Sequence, residues 1–219
     1  MGLPRPALAM AETKDTTTAR RPSALGRAAE RIATLGAMLS SGVMAGYFLA
    51  FSAQVMPGVG AMSGVNALVA LPVMRSINDH ADSPRYAAAF LGALILTVLA
   101  TAIATVRRDG IASWLTIIGG AAFLLGSIGV TLIFNRRLDD DLSGWSVTDP
   151  ASIGLMEGYV RDWSRWNDVR LVASLIAFGL FALAGLLPRR PVPVPAQAVS
   201  SGNRAPAGDA ADPDWLAGV

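Results

Sequence analysis

The sequence contains no cysteine and a single histidine, His80, in 219 residues. Without cysteine the chain cannot form a disulfide, a thiolate metal site, an iron–sulfur cluster or a cysteine nucleophile. Haem, zinc and copper centres usually take several His or Cys ligands, and one histidine cannot supply them. The sequence therefore predicts a protein without a haem, zinc, copper or iron–sulfur centre.

Charged residues are also scarce. They make up 16% of the chain, the formal net charge is +2, and no basic run is interleaved with aromatic residues. Proteins that bind nucleic acid usually carry such a basic patch, so we expect no nucleic-acid partner. Hydrophobic residues instead make up 53% of the chain, which indicates the lipid bilayer as its surroundings.

The hydrophobic residues are concentrated in four runs, at residues 33–56, 86–106, 111–134 and 169–187. A helix rises about 1.5 Å per residue, so about 20 apolar residues cross the hydrocarbon core. Arg170 is the only Asp, Glu, Lys, Arg or His within these runs. We predict an all-α polytopic membrane protein in which residues 33–187 form an antiparallel four-helix transmembrane bundle.

Arginines mark one end of each run. They are Arg20, Arg21, Arg27 and Arg31 before the first, Arg107 and Arg108 between the second and third, and Arg189 and Arg190 after the fourth. Because cytoplasmic loops are enriched in Lys and Arg, we predict a protein of the cell (cytoplasmic) membrane with both termini in the cytoplasm. Residues 1–32 are then a basic tail, and the Pro- and Ala-rich residues 188–219 a disordered one.

The two longer connections are predicted on the outer side. Pro57–Gly58 is expected to end the first helix, since proline lacks the amide donor and glycine favours unusual backbone angles. Residues 65–77 carry apolar side chains at helical spacing but are too few to span, which predicts a short interfacial helix. In the second connection we interpret Asp139–Asp141 as a solvated loop, with a helix returning from about Ser152.

The first and third spans are rich in small residues. Gly36, Ser40, Gly42 and Gly46 recur along the first, and the third contains four glycines. Small residues on one face let a neighbouring helix approach closely in lipid. We favour packing inside the bundle, with a homodimer or another membrane protein partner as the alternative.

One helical face at the start of the fourth span presents Trp163, Trp166, Asn167 and Arg170. Tryptophan belts and snorkelling arginines at the membrane interface are the simplest explanation of such a face. The alternative is an enclosed site, because Asn78, His80 and Asn135 are predicted at the same depth. Amides that face lipid are costly and should turn inward.

An enclosed site of this composition suits a planar phenolic or quinone-like small molecule. Trp163 and Trp166 are expected to stack on the rings of such a substrate. Asn78 and Asn135 are expected to bind its polar groups.

The same residues define a candidate catalytic set. Arg170 and Asn167 are expected to stabilise an enolate or phenolate through hydrogen bonds. Asp168 and His80 are the candidate bases that remove the proton. For His80 a solvated surface position is the simpler interpretation, since Asp79 and Asp82 flank it.

Four stretches resemble, in order and at suitable spacing, the landmarks of the anthrone oxygenase-like membrane proteins. They are Ser41–Gly58, Met74–Asn78, Asn135–Leu138 and Trp163-x-x-Trp166-Asn167-x-x-Arg170. The resemblance covers roughly Leu35–Leu187. It implies a four-span bundle and an oxygenase that converts a polyketide anthrone to an anthraquinone without metal or flavin, while most bacterial members have no assigned role.

Residue by residue, the resemblance implies roles for Asn78, Asn135, Trp166, Asn167 and Arg170. Two positions depart from the family's pattern. The stretch Thr131-Leu-Ile-Phe-Asn135 keeps only the last residue of an Asn-Val-Pro-Leu-Asn motif, and Asp168 stands where a histidine is frequent.

The sequence therefore predicts a cofactor-independent monooxygenase of an aromatic or enolisable lipophilic substrate, bound at the outer end of the bundle. The alternative is a non-enzymatic membrane module that binds a small hydrophobic molecule or a membrane protein partner. Transport ranks third, because the sequence has neither an evident inverted repeat nor a charged relay through the midplane.

Overall fold

A computed structural model describes residues 24–81, 83–108, 110–146 and 148–187. The predicted tail at 188–219 and residues 1–23 of the basic tail lie outside these ranges. Within them the elements are α1 (Ala24–Ala50), a π-helix π1 (Phe51–Val55), α2 (Met56–Ala81), α3 (Pro84–Arg107), α4 (Ile111–Phe123), π2 (Leu124–Gly129), π3 (Thr131–Asn135), α5 (Arg136–Gly144) and α6 (Ala151–Leu186).

Four helical stretches are long and apolar enough to cross a membrane. They are Leu25–Ser63, Pro84–Arg107, Ile111–Gly144 and Gly154–Leu186. α1 packs against α3 and α6, and α4 packs against the same two helices, so the four spans close into a bundle. Large apolar side chains such as Leu125 remain exposed on its outer surface, as lipid contact requires. The predicted all-α, four-span membrane bundle is confirmed.

The first helix does not end at Pro57, and that prediction is wrong. The chain stays helical from α1 through π1 into α2, with Pro57 as the second residue of α2. A proline in a helix removes one hydrogen bond and collides with the carbonyl four residues earlier. That carbonyl lies within π1, and the wider π turn relieves the collision. The backbone breaks instead at Asn66, where φ is −157° and ψ is 92°.

The part of α2 after this break, residues 67–81, closes one end of the bundle. Its residues Ala70, Leu71 and Met74 are buried in a cluster with Met56 and Met156. The short helix expected in the first outer connection therefore exists, and its apolar side packs on the bundle end.

The third span also continues beyond its apolar run, because α5 extends the helix to Gly144. The guanidinium of Arg75 holds the end of α5, donating hydrogen bonds to the carbonyls of Leu142 (3.0 Å), Ser143 (3.0 Å) and Trp145. A cation at a helix C-terminus is favourable because it meets unpaired carbonyls and the negative end of the dipole. Asp139–Asp141 thus lie on a helix, which corrects the predicted solvated loop.

The small residues of the first and third spans contact other helices of the same chain. A Cβ added at Gly36 would lie 3.0 Å from Leu96, and one at Gly42 would lie 3.0 Å from Phe178. At Gly126 it would lie 2.5 Å from Ala173, whereas at Gly46 nothing lies within 4 Å. Intramolecular packing therefore accounts for most of these faces.

We expect Gly120→Ala to lower the thermal unfolding temperature in detergent, because its Cβ would overlap Thr101 of α3. Overpacking of this kind costs about 1–3 kcal/mol. Gly92→Ala is the matched control, since nothing lies within 4 Å of a Cβ at Gly92, and a helical alanine is then neutral or stabilising. Equal unfolding temperatures for the two variants would contradict the close α3–α4 contact.

Candidate functional site

A cavity of about 230 Å³ lies at the bundle end that residues 67–81 close. It is lined from several elements: α1, π1, α2, α3, π3, α5 and α6 each contribute side chains. Two of the three π-helices border it, and single π turns are frequent at functional sites. Aromatic rings form one part of the lining, and amide, carboxylate and guanidinium groups form another.

Arg170 brings a buried positive charge to this cavity. The residue is 4% exposed, and its Nη2 donates to Asn167 Oδ1 at 2.9 Å and its Nη1 to Thr131 Oγ1 at 3.4 Å. The guanidinium carbon lies 4.6 Å from the ring centroid of Phe48 and 4.9 Å from that of Trp163. Its Nε has no hydrogen-bond partner, and no carboxylate of the described chain lies within ion-pair distance.

Asn167 holds this guanidinium in place from behind the cavity. Its Nδ2 donates to the carbonyl of Phe48 at 2.8 Å and to Ser52 Oγ at 2.7 Å. The Phe48 carbonyl lies in α1, three residues before π1 begins. With its amide fixed at both ends, Asn167 is a positioning residue for Arg170.

Asp139 receives three hydrogen bonds on one carboxylate oxygen. Its Oδ1 accepts from Tyr159 Oη at 2.7 Å, Trp163 Nε1 at 2.9 Å and Asn78 Nδ2 at 3.1 Å. The same Asn78 amide lies 3.4 Å from Tyr159 Oη. Asp139 is half-buried and lines the cavity, and no described residue donates to its other oxygen. That oxygen remains available to a ligand.

Asn135 and a chain of aromatic rings complete the enclosure. Asn135 is 1% exposed, its Nδ2 donates to the Trp163 carbonyl at 3.5 Å, and its Oδ1 has no partner. The ring centroid of Tyr47 lies 4.9 Å from those of both Tyr86 and Phe51, and Phe51 lies 5.3 Å from Trp163. Buried polar groups are normally paired, whereas the Asn135 oxygen and Arg170 Nε have no hydrogen-bond partner among the described residues.

The structure brings together part of the site predicted from the sequence. Asn78, Asn135, Trp163 and Arg170 line one cavity, and Asn167 supports it. The side chains of Asn78, Asn135 and Arg170 thus turn toward the same cavity. Their roles in binding or catalysis stay predictions.

Three other predicted residues lie elsewhere. Trp166 stacks on Phe134 with ring centroids 3.6 Å apart and planes at 9°. Asp168 is exposed on the outer surface of α6 and accepts from Ser52 Oγ at 2.6 Å. His80 is exposed, and its Nδ1 lies 2.7 Å from the Ser76 carbonyl. None of the three lines the cavity.

Sequence reasoning missed Asp139, Tyr159 and the pair Tyr47 and Tyr86. Spacing carried a signal for two of them: Asp139 follows Asn135 by four residues, and Tyr159 precedes Trp163 by four. Residues four apart share a helical face, so both extend faces already recognised as polar. The signal was masked because Asp139 stands in an acidic run that resembles a solvated loop.

Together these features define a class: a helical membrane protein with four spans and a partly open polar and aromatic cavity at one end. The model of the anthrone oxygenase family matches residues 83–180. This stretch is thus similar to the anthrone oxygenase family, and the resemblance seen in the sequence is confirmed over those residues. The matched residues include Asn135, Asp139 and Arg170, whereas Asn78 lies outside the match. Neither a curated protein nor a solved structure matches the chain.

Proposed function

We propose that this chain is a cofactor-independent oxygenase of a compact, enolisable aromatic molecule. The observation that carries the proposal is Arg170, a buried guanidinium with no carboxylate in contact and an unpaired Nε, beside a cavity that also contains Asp139. A buried cation without an anionic partner is costly. A substrate that becomes an anion during the reaction supplies the partner when the charge develops.

The reaction converts an activated methylene and O₂ to a carbonyl and water. Asp139 removes one proton from the carbon, and the negative charge spreads to an enolate oxygen held by Arg170. The anion passes one electron to O₂, and the resulting radical and superoxide combine to form the C–O bond of a peroxide, which takes the proton from Asp139. Loss of the second C–H proton then breaks the O–O bond, forms the C=O bond and releases the distal oxygen as water.

The shape and lining of the cavity support an aromatic substrate of limited size. The rings of Tyr47, Phe51 and Tyr86 offer faces and edges for stacking. Arg170 Nε can donate to a substrate oxygen, and Asn135 Oδ1 can accept from a substrate hydroxyl. A volume of about 230 Å³ is below the roughly 300–1,000 Å³ of drug-sized ligand sites, which favours a small fused-ring compound without large substituents.

We further propose that the protein lies in the cytoplasmic membrane with both termini in the cytoplasm. The short connection with Arg107 and Arg108 is then internal, and the cavity, at the opposite end of α3, faces outward. A lipophilic substrate would reach it from the outer interface.

The test is oxygen uptake by the purified full-length protein in lipid nanodiscs with an anthrone-type substrate. We expect one O₂ consumed per substrate, and label from ¹⁸O₂ in the carbonyl of the product. Quenching of tryptophan fluorescence on substrate addition, without oxygen uptake above the rate of empty nanodiscs, would favour the alternative of a non-enzymatic binding module. If a panel of such compounds causes no quenching and no oxygen uptake, that result would contradict a ligand site altogether.

A further inference from the structure

The outward face of α6, opposite Arg170, carries an unusual row of side chains. Arg165, Asp168, Val172 and Ile176 are all exposed and follow each other at spacings of three, four and four residues. This spacing places them in one stripe on the helix surface. The stripe begins with two opposite charges and continues with apolar residues.

A groove runs beside this stripe, between α6 and the third span. It has a volume of about 670 Å³, and Ala122, Gly126 and Ala173 are among the residues that line it, together with Val172 and Ile176. Asp168 is the one charged residue among those that line it. Small residues flanked by larger apolar ones are what a second transmembrane helix requires for close contact.

Asp168 has no cationic partner within the described chain. One carboxylate oxygen accepts from Ser52 at 2.6 Å, and neither Asp168 nor Arg165 takes part in an ion pair there. Asp168 directly precedes the apolar run that begins at Val169, so it lies at the edge of the hydrocarbon region. Charged residues at this depth are costly and usually pair with each other.

We propose that this face binds a second copy of the chain, with Arg165 of each copy paired to Asp168 of the other. All copies insert with the same orientation, so two α6 helices related by a two-fold axis along the membrane normal run parallel. Arg165 precedes Asp168 by three residues and therefore lies about 4.5 Å nearer the N-terminal end of α6, a distance that an arginine side chain can bridge. The two pairs are equivalent, as a two-fold interface requires.

The order of the charges favours a second copy over a bound phospholipid. Along α6, from the groove toward the N-terminal end of the helix, the carboxylate of Asp168 comes first and the guanidinium of Arg165 second. In a phospholipid the phosphate comes first and any ammonium group second, which would place the phosphate against Asp168. This interface does not depend on the proposed oxygenase activity, because it involves the face of α6 that points away from the cavity.

Cysteine crosslinking tests the contact without background, because the chain has no cysteine. We expect Val172→Cys to form a disulfide-linked dimer when full-length protein in native membranes is oxidised. Leu91→Cys is the control, a residue 52% exposed on α3, and should stay monomeric. Equal crosslinking at both positions would indicate random collision and overturn the proposal, as would no crosslinking at Val172 with lipid retained on a monomeric protein.

Charge reversal tests the proposed ion pairs. In the Val172→Cys background, we expect Arg165→Asp or Asp168→Arg to lower the crosslinked fraction about tenfold, equivalent to about 1.4 kcal/mol. The double variant R165D/D168R should restore it, because the pairs re-form with exchanged signs. Arg165 takes part in no ion pair within the described chain, so Arg165→Asp stays informative if Asp168→Arg misfolds. An unchanged fraction in Arg165→Asp, or no recovery in a folded double variant, would overturn the proposal.

Discussion

With glutamine in place of Arg170, we expect kcat/KM for an anthrone-type substrate to fall about 100- to 1,000-fold, the usual cost of removing one oxyanion donor. Glutamine can still donate to Asn167, but it carries no charge to balance the enolate. The loss should appear mainly in kcat, because the substrate becomes an anion only during turnover. Oxygen-uptake kinetics in nanodiscs measure both parameters.

The stability of the Arg170→Gln protein separates a functional arginine from a structural one. The groups in direct contact with the wild-type guanidinium are neutral, and no carboxylate of the described chain lies within ion-pair distance to compensate its desolvation. We therefore expect an unfolding temperature equal to or above that of the wild type. Arg161→Gln is the control, an exposed arginine of the same helix paired with Asp162, and should retain activity. Wild-type turnover in Arg170→Gln would contradict the proposed role.

Much of the fold could be predicted from the sequence, because lipid imposes a length on any apolar run that crosses it. How far the helices extend beyond the membrane could not be predicted from the sequence. α5 continues into the polar region because Arg75, more than sixty residues earlier in sequence, meets its terminal carbonyls. Pro57 is accommodated because π1 widens the helix just before it. Both depend on tertiary contacts that local sequence patterns do not record.

The candidate site was predictable where helical spacing decides which way a side chain points. Trp163, Asn167 and Arg170 share a face, and they do converge at one end of the bundle. Asp168 follows Asn167 by one residue and is therefore rotated by about 100° around the helix, which takes it to the outer surface. It was a candidate base through its chemistry alone, and the structure does not bring it to the cavity.

Asp139 has the geometry that a catalytic base in this cavity requires. Its three donors, Tyr159, Trp163 and Asn78, all bind the same oxygen. They fix the orientation of the carboxylate and leave its second oxygen free of protein donors. A base must lie within hydrogen-bond reach of the proton that it removes, and Asp139 shares the cavity lining with Arg170. One charged group can therefore remove the proton while the other stabilises the resulting anion.

Asp139→Asn should consequently lower kcat by about 100- to 10,000-fold, the contribution of a positioned general base, with little change in KM. The asparagine oxygen can still accept from Tyr159 and Trp163, so substrate binding, measured by quenching of tryptophan fluorescence, should persist. Asp141→Asn is the control, because Asp141 is exposed on the same helix and does not line the cavity. If Asp139→Asn turns over at the wild-type rate, another group removes the proton. If it loses substrate binding as well as turnover, Asp139 acts by shaping the cavity.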